Sequence, residues 1–141
     1  MMLIHSPQPW MKFREEHFYE GNLEAWRAIE EAYKTGKLRI IGVSNFEKED
    51  MDNIIDNCSV TPMVNQLLMH ISNTPIDLIE YSKSKDIIVE AYSPIAHGEM
   101  LKSKQITSIA EKCQVTVPQI CVRYRYSLVH FHYPKLQTQY I

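Results

Sequence analysis

Short apolar runs alternate along the chain with longer stretches of helical periodicity. Met2-Leu3-Ile4 is apolar at consecutive positions, the signature of a parallel strand covered on both faces. The stretch from Gly36 to Phe46 opens on a turn glycine, continues through Ile40, Ile41 and Val43, and gives way to the small polar residues Ser44 and Asn45. Pro62-Met63-Val64-Asn65-Gln66 reads as a short strand that ends in amides, and Ile87 to Tyr92 as another, followed by Ser93-Pro94.

The intervening stretches predict helices. Asn22 is a good N-cap, Glu24 suits the positive helix end, and Leu23, Trp26, Ile29 and Tyr33 recur at helical spacing, so a helix is expected from Asn22 to about Thr35, closed by Gly36. Lys48 to about Asp56 places Met51, Ile54 and Ile55 on one face. Thr74-Pro75 opens a helix to Lys85 with Ile76 and Ile79 inward and Leu78 on the flank, since proline is tolerated at the first helical position. Gln105 to Lys112 and Val117 to about Arg125 complete the set, the latter burying Ile120, Cys121 and Tyr124. Ser6-Pro7-Gln8-Pro9-Trp10 is a loop, and Lys12 to Glu20 a solvated loop or short helical turn. Strict alternation of this kind predicts an α/β fold of parallel strands joined by right-handed crossovers.

Composition narrows the class. At 141 residues, 45% hydrophobic and 23% charged, the chain fits one globular domain. A net charge of -2 offers no basic field for nucleic acid. No apolar run approaches the ~20 residues that span a bilayer, and Met1 to His5 has neither the basic region nor the cleavage site of a signal peptide. Cys58, Cys113 and Cys121 form no CxxC pair, which points to free thiols in a reducing cytosol and a cytoplasmic protein. His70, His97, His130 and His132 lack metal-ligand spacing, so no metal is expected.

Ligands of parallel α/β proteins sit at the C-terminal strand edge, and there this chain is specific. Leu3-Ile4-His5-Ser6-Pro7, Gly42-Val43-Ser44-Asn45-Phe46, Val64-Asn65-Gln66 and Ala91-Tyr92-Ser93-Pro94 follow one another at about one βα unit. Singly each has a plain alternative: a histidine after a strand is more often structural, a strand tyrosine is core by default, and Asn45, Asn65 and Gln66 are equally able to tie loop backbone. Together, with Gly36-Lys37-Leu38-Arg39 ahead of the second, they resemble the aldo-keto reductases, NADPH-dependent (β/α)8 TIM barrels, over residues 2 to about 124.

The resemblance implies a partial barrel of about four βα units, strand four to helix seven, and the reduction of a small carbonyl substrate to an alcohol by hydride from NADPH. It makes His5 the catalytic histidine that orients the carbonyl. It assigns Ser44, Asn45 and Gln66 to the nicotinamide carboxamide and Tyr92 to stacking on the ring. Ser93, Ile95 and Gly98 fall to the loop along the pyrophosphate, and Asn65 points away from the cofactor to tie backbone. Trp10 is close enough to His5 to line a pocket or to pack.

The family's catalytic aspartate, tyrosine and lysine lie on earlier strands. None is found here, because the chain begins inside strand four, so alone it is expected to be catalytically incomplete. Open sheet edges suggest the alternative of a non-catalytic half barrel acting through self-association or a partner. An unrelated parallel α/β domain is the remaining reading. From Arg125 to Ile141 the chain leaves the family pattern. Reading new codons one register over from Arg125 permits Leu-Gln-Leu-Gly-Thr-Phe-Pro-Leu-Pro-Lys-Thr, the segment the family has there. A frameshift near Arg125 is therefore expected, and Lys135 takes no site role.

Overall fold

In a computed structural model, residues 1–12 and 15–129 are described. Four strands, β1 (Met2–Ile4), β2 (Ile41–Ser44), β3 (Val64–Leu68) and β4 (Ile88–Tyr92), form one sheet in the order of the chain. β1 pairs in parallel with β2, Leu3 opposite Gly42, and β2 with β3, Ser44 opposite Gln66. Ile88 N–H donates to the Met63 carbonyl at one end of β4, and Met69 N–H to the Tyr92 carbonyl at the other, so the last pair also runs parallel. Helices α1 (Tyr19–Lys34), α2 (Lys48–Asn57) and α3 (Ile76–Ser84) fill the crossovers, and α4 (Lys104–Lys112) and α5 (Val117–Val129) follow β4.

The chain divides into two compact units. The first, residues 1–67 and 75–90, is built on β1, β2 and most of β3 and β4 with α1 to α3. Its core joins Trp26 and Ile29 of α1, Ile41 and Val43 of β2, and Met51 and Ile54 of α2. Trp26 meets the requirement of its buried indole by donating Nε1–H to the Val60 carbonyl (2.9 Å). Gly42 is obligatory for space, because a Cβ there would stand 2.4 Å from the Val64 carbonyl oxygen and 2.9 Å from Leu3 Cδ2. In the described part of the second unit, residues 68–74 and 91–129, Ala96 and Met100 pack against Ile106 of α4 and Cys121 of α5.

Several expectations shift. Helix α1 starts at Tyr19, not Asn22, with no side-chain cap at Phe18. Asn22 is instead buried inside the helix and donates Nδ2–H to the Pro7 carbonyl (3.0 Å), so a tertiary partner outcompetes the capping role. In α3 the inward residues are Leu78, Ile79 and Ser82, while Ile76 is exposed. Pro75 occupies the N-cap, and Thr74 Oγ1 donates to the His70 carbonyl (3.1 Å) instead of capping. In α5 Cys121 is fully buried, whereas Ile120 and Tyr124 are half-buried. That helix runs through Arg125 to Val129; the remainder of the expected divergent tail, with His130, His132 and Lys135, lies outside the described residues, as do Phe13 and Arg14.

Candidate functional site

Hydrogen bonds assemble the first group of site residues at the C-terminal ends of β1, β2 and β3. The Ser44 hydroxyl donates to the Gln66 carbonyl (3.0 Å), and the next residue's N–H, that of Asn45, donates to the same oxygen (2.9 Å). The Asn45 side chain turns the other way: its Nδ2 donates to Ser44 Oγ (3.0 Å) and to the His5 carbonyl (3.2 Å). Residues widely separated in sequence, His5, Ser44, Asn45 and Gln66, are thereby one unit. Asn45 takes the left-handed conformation (φ 60°), which asparagine tolerates better than most non-glycine residues. Ser44 and Asn45 are buried, Gln66 is half-buried and the His5 side chain is exposed.

The His5 ring meets the Trp10 indole edge to face, with centroids 5.7 Å apart and planes at 68°. Trp10, in a 3-10 turn over Trp10–Lys12, remains 54% exposed. The loop Ser6 to Pro9 brings the two together: Ser6 Oγ donates to the Gln8 carbonyl (2.5 Å), and Asn22 holds Pro7 from α1. Neither the edge-to-face pairing nor the 3-10 turn has a periodic signature, so the sequence yields only their closeness along the chain.

The second group lies within one segment of the second unit. Tyr92 closes β4, half-buried, and its carbonyl accepts the Met69 N–H (3.2 Å). Beyond it the backbone turns through Ser93 (φ 52°), Ala96 (φ 47°), His97 (φ 52°) and Gly98 (φ 95°), all left-handed. The Ile95 carbonyl accepts from Gly98 N–H (2.9 Å) and Met100 N–H (3.3 Å), and the Ser93 carbonyl from Ala96 N–H (3.1 Å). The Ala96, Gly98 and Met100 N–H groups are thus taken up within the turn itself. The 3-10 turn over Ala96–Lys102 escapes sequence reasoning because left-handed residues break every periodicity that such reasoning follows.

A tyrosine–aspartate–lysine grouping does occur in the first unit, but with the wrong electrostatics for an acid. The Tyr81 phenol of α3 donates to Asp52 Oδ1 of α2, with Lys48 and Lys85 Nζ at 5.5 and 5.7 Å from its ring. Burial, and then the hydrogen bond to Asp52, push the phenol well above its ordinary value. A proton donor near neutral pH needs the opposite shift. Among the described residues no three His, Cys, Asp or Glu side chains form a metal-binding group, and no helix is long and apolar enough to cross a membrane.

Residues 1–137 match the sequence model of the aldo/keto reductase family. The chain is 40% identical over 101 residues to glyoxal reductase of Bacillus subtilis, covering 72% of this chain and 37% of that protein. It is 35% identical over 125 residues to an uncharacterised oxidoreductase of Schizosaccharomyces pombe, covering 88% and 42%. Among solved structures it resembles an aldo/keto reductase from Brucella melitensis (TM-score 0.78, 32% identity, 91% of this chain and 46% of that one). An aldo-keto reductase complexed with NADPH is also similar (TM-score 0.72, 30% identity, 91% and 42%). The chain thus spans less than half the length of these relatives.

Proposed function

The chain belongs to the aldo/keto reductase family, its parallel sheet being part of that family's TIM barrel, and on that premise we propose that it carries the nicotinamide side of an NADPH-dependent carbonyl reductase. The observation that supports this most is the hydrogen-bonded cluster of His5, Ser44, Asn45 and Gln66 at the strand ends. Its chemistry fits the ligand: a carboxamide presents an NH2 and a C=O, and with the Ser44 hydroxyl and Asn45 Nδ2 engaged within the cluster, the Gln66 side-chain amide carries both a donor and an acceptor to answer them.

When bound, NADPH supplies the hydride that reduces the carbonyl carbon. Ser44, Asn45 and Gln66 would hold the carboxamide, and Tyr92 would supply an aromatic face for the ring. Ser93, Ile95 and Gly98 would lie along the pyrophosphate, with no side chain at Gly98 to hinder close approach of the backbone. His5 orients the oxygen of a small carbonyl substrate in the cytosol. No tyrosine among these residues stands in the family's proton-donor context, and we assign none of them that task. These 141 residues alone are thus proposed to hold cofactor without completing the reaction.

Circular dichroism with NADPH fluorescence titration of the purified chain tests this reading. The expected result is folded protein of marginal stability, NADPH binding weaker than micromolar, and no turnover of aldehydes. Carbonyl reduction by the chain alone overturns the incompleteness, and sub-micromolar binding overturns the expected weakness of the site. Affinity for NADPH no greater than for 2′-phospho-ADP-ribose, which lacks the nicotinamide, overturns the carboxamide assignment.

A further inference from the structure

Two consecutive residues of β3 grip three consecutive residues at the C-terminal end of β2, Ser44 to Phe46. The backbone carbonyl of Gln66 takes the Asn45 N–H and the Ser44 hydroxyl, at 2.9 and 3.0 Å. Asn65, pointing to the opposite face of the strand, donates its Nδ2–H to the Phe46 carbonyl at 2.9 Å. Between the two grips sits Asn45, in a left-handed conformation (φ 60°) that asparagine tolerates and that the two grips bracket.

Asn65 is 0% exposed, and its Oδ1 has no hydrogen-bond partner among the described residues. The Nδ2 group also donates to Met51 Sδ (3.4 Å). An unpaired buried oxygen is unfavourable, and a leucine of similar shape would remove it. Leucine would, however, leave the Phe46 carbonyl without its Asn65 donor, so the position is kept for the donor half of the amide. The donor half has a use that leucine lacks, namely fixing the Phe46 peptide and with it the turn that aims Asn45.

From this we infer that Asn65 is a positioning residue for the cofactor cradle: it touches no ligand, and holds Asn45 in the left-handed conformation from which its amide joins Ser44 and His5. The inference rests on the proposed role of Ser44 and Asn45 in cofactor binding. It goes beyond that role by making the geometry of the cradle depend on a side chain on the other face of β3.

Hydrogen exchange on the full chain tests it with Asn65→Leu, and with Asn65→Ser as a second variant should leucine fail to fold. The Asn45 amide reports the turn. The Cys58 and Ile79 amides, bonded to the Ile54 and Pro75 carbonyls at 3.0 Å each, report the rest of the same unit. Asn45 is expected to exchange at least about tenfold faster while the two controls stay within about twofold, the mark of local opening. Unchanged Asn45 exchange, or equal acceleration of all three amides, overturns the positioning role. In a parallel titration to millimolar NADPH, affinity is expected to fall at least about tenfold. Unchanged affinity with a loosened turn overturns the link to the cofactor. Wild-type protein without saturable binding overturns the carboxamide assignment itself, and the exchange result still decides whether Asn65 holds the turn.

Discussion

The two groups of site residues are shaped by different means. His5, Ser44, Asn45 and Gln66 come from three strands and are joined by side-chain hydrogen bonds across 22 and 40 residues of sequence. Tyr92, Ser93, Ile95 and Gly98 come from one segment, whose bonds beyond Tyr92 link residues only a few positions apart and whose form lies in the backbone angles. The first group is therefore a product of the sheet and inherits its cooperativity. The second is a local conformation that its own sequence makes or breaks.

The two glycines next to these groups offer the sharpest way to break that contrast. Gly42 is needed for space, since a Cβ would collide with the Val64 backbone oxygen, which no rotamer change relieves. Gly42→Ala is expected to cost roughly 3 kcal/mol and to lower the thermal midpoint of the first unit, read by circular dichroism. Loss confined to a few amides of β2 would show that the sheet is not the cooperative element. A Cβ added at Gly98 would meet nothing within 4 Å, so only the φ of 95° resists substitution there. Gly98→Ala is expected to cost about 1–2 kcal/mol. Its effect should show as faster exchange of the Gly98 and Met100 amides, both held by Ile95. A global loss of stability there would join the loop to a larger cooperative unit.

Ser44→Ala ranks next. It removes one of the two donors on the Gln66 carbonyl and one acceptor of the Asn45 amide, while the Asn45 N–H bond to Gln66 persists. The expected stability loss is about 1 kcal/mol. A larger relative loss in NADPH affinity is expected from titration beside the wild type. Affinity and stability falling in equal measure would mean that the hydroxyl only braces the sheet.

The difference between the groups also explains what is legible in the sequence. Strand positions, the parallel order and the polar strand ends follow from local hydrophobicity and alternation, and the sheet has them in place. The start of α1 is misjudged from sequence because Asn22 carries the strongest local capping signal, whereas its amide is taken by Pro7 from a loop that no pattern ties to it. The apolar character of Ile76 points it inward, but the face of α3 is set by its seat on the unit, which Leu78 and Ile79 occupy. Asn45 and Gln66 stand out by type and order. That Gln66 acts on its neighbours through its backbone carbonyl, and that Asn45 is left-handed, follows only from the three-dimensional register. The loop after Tyr92 is expected by resemblance, and its shape, being a run of positive φ angles, has no compositional mark except Gly98.

A last test takes the long-range style of bonding away from the cradle, to the N-terminal side of β3. Glu30 of α1 is buried, and its Oε1 accepts from Ser59 Oγ (2.5 Å), Ser59 N–H (2.9 Å) and Lys34 Nζ (3.2 Å). The Ser59 hydroxyl first, and then Lys34, hold its carboxyl below the ordinary glutamate range against the opposing effect of burial. A carboxyl whose folded pKa is depressed binds protons more readily when unfolded. Its contribution is therefore complete above the unfolded value, about 4.3, and is lost as pH falls through the lower folded value. Glu30→Gln keeps the shape and removes that titration. Relative to wild type it should be less stable at pH 7, with the deficit shrinking as the pH drops below about 4. Denaturant midpoints measured at several pH values read this directly. A deficit that stays constant into acid would mean that the loop before β3 is held by Trp26 and its bond to the Val60 carbonyl rather than by the carboxylate.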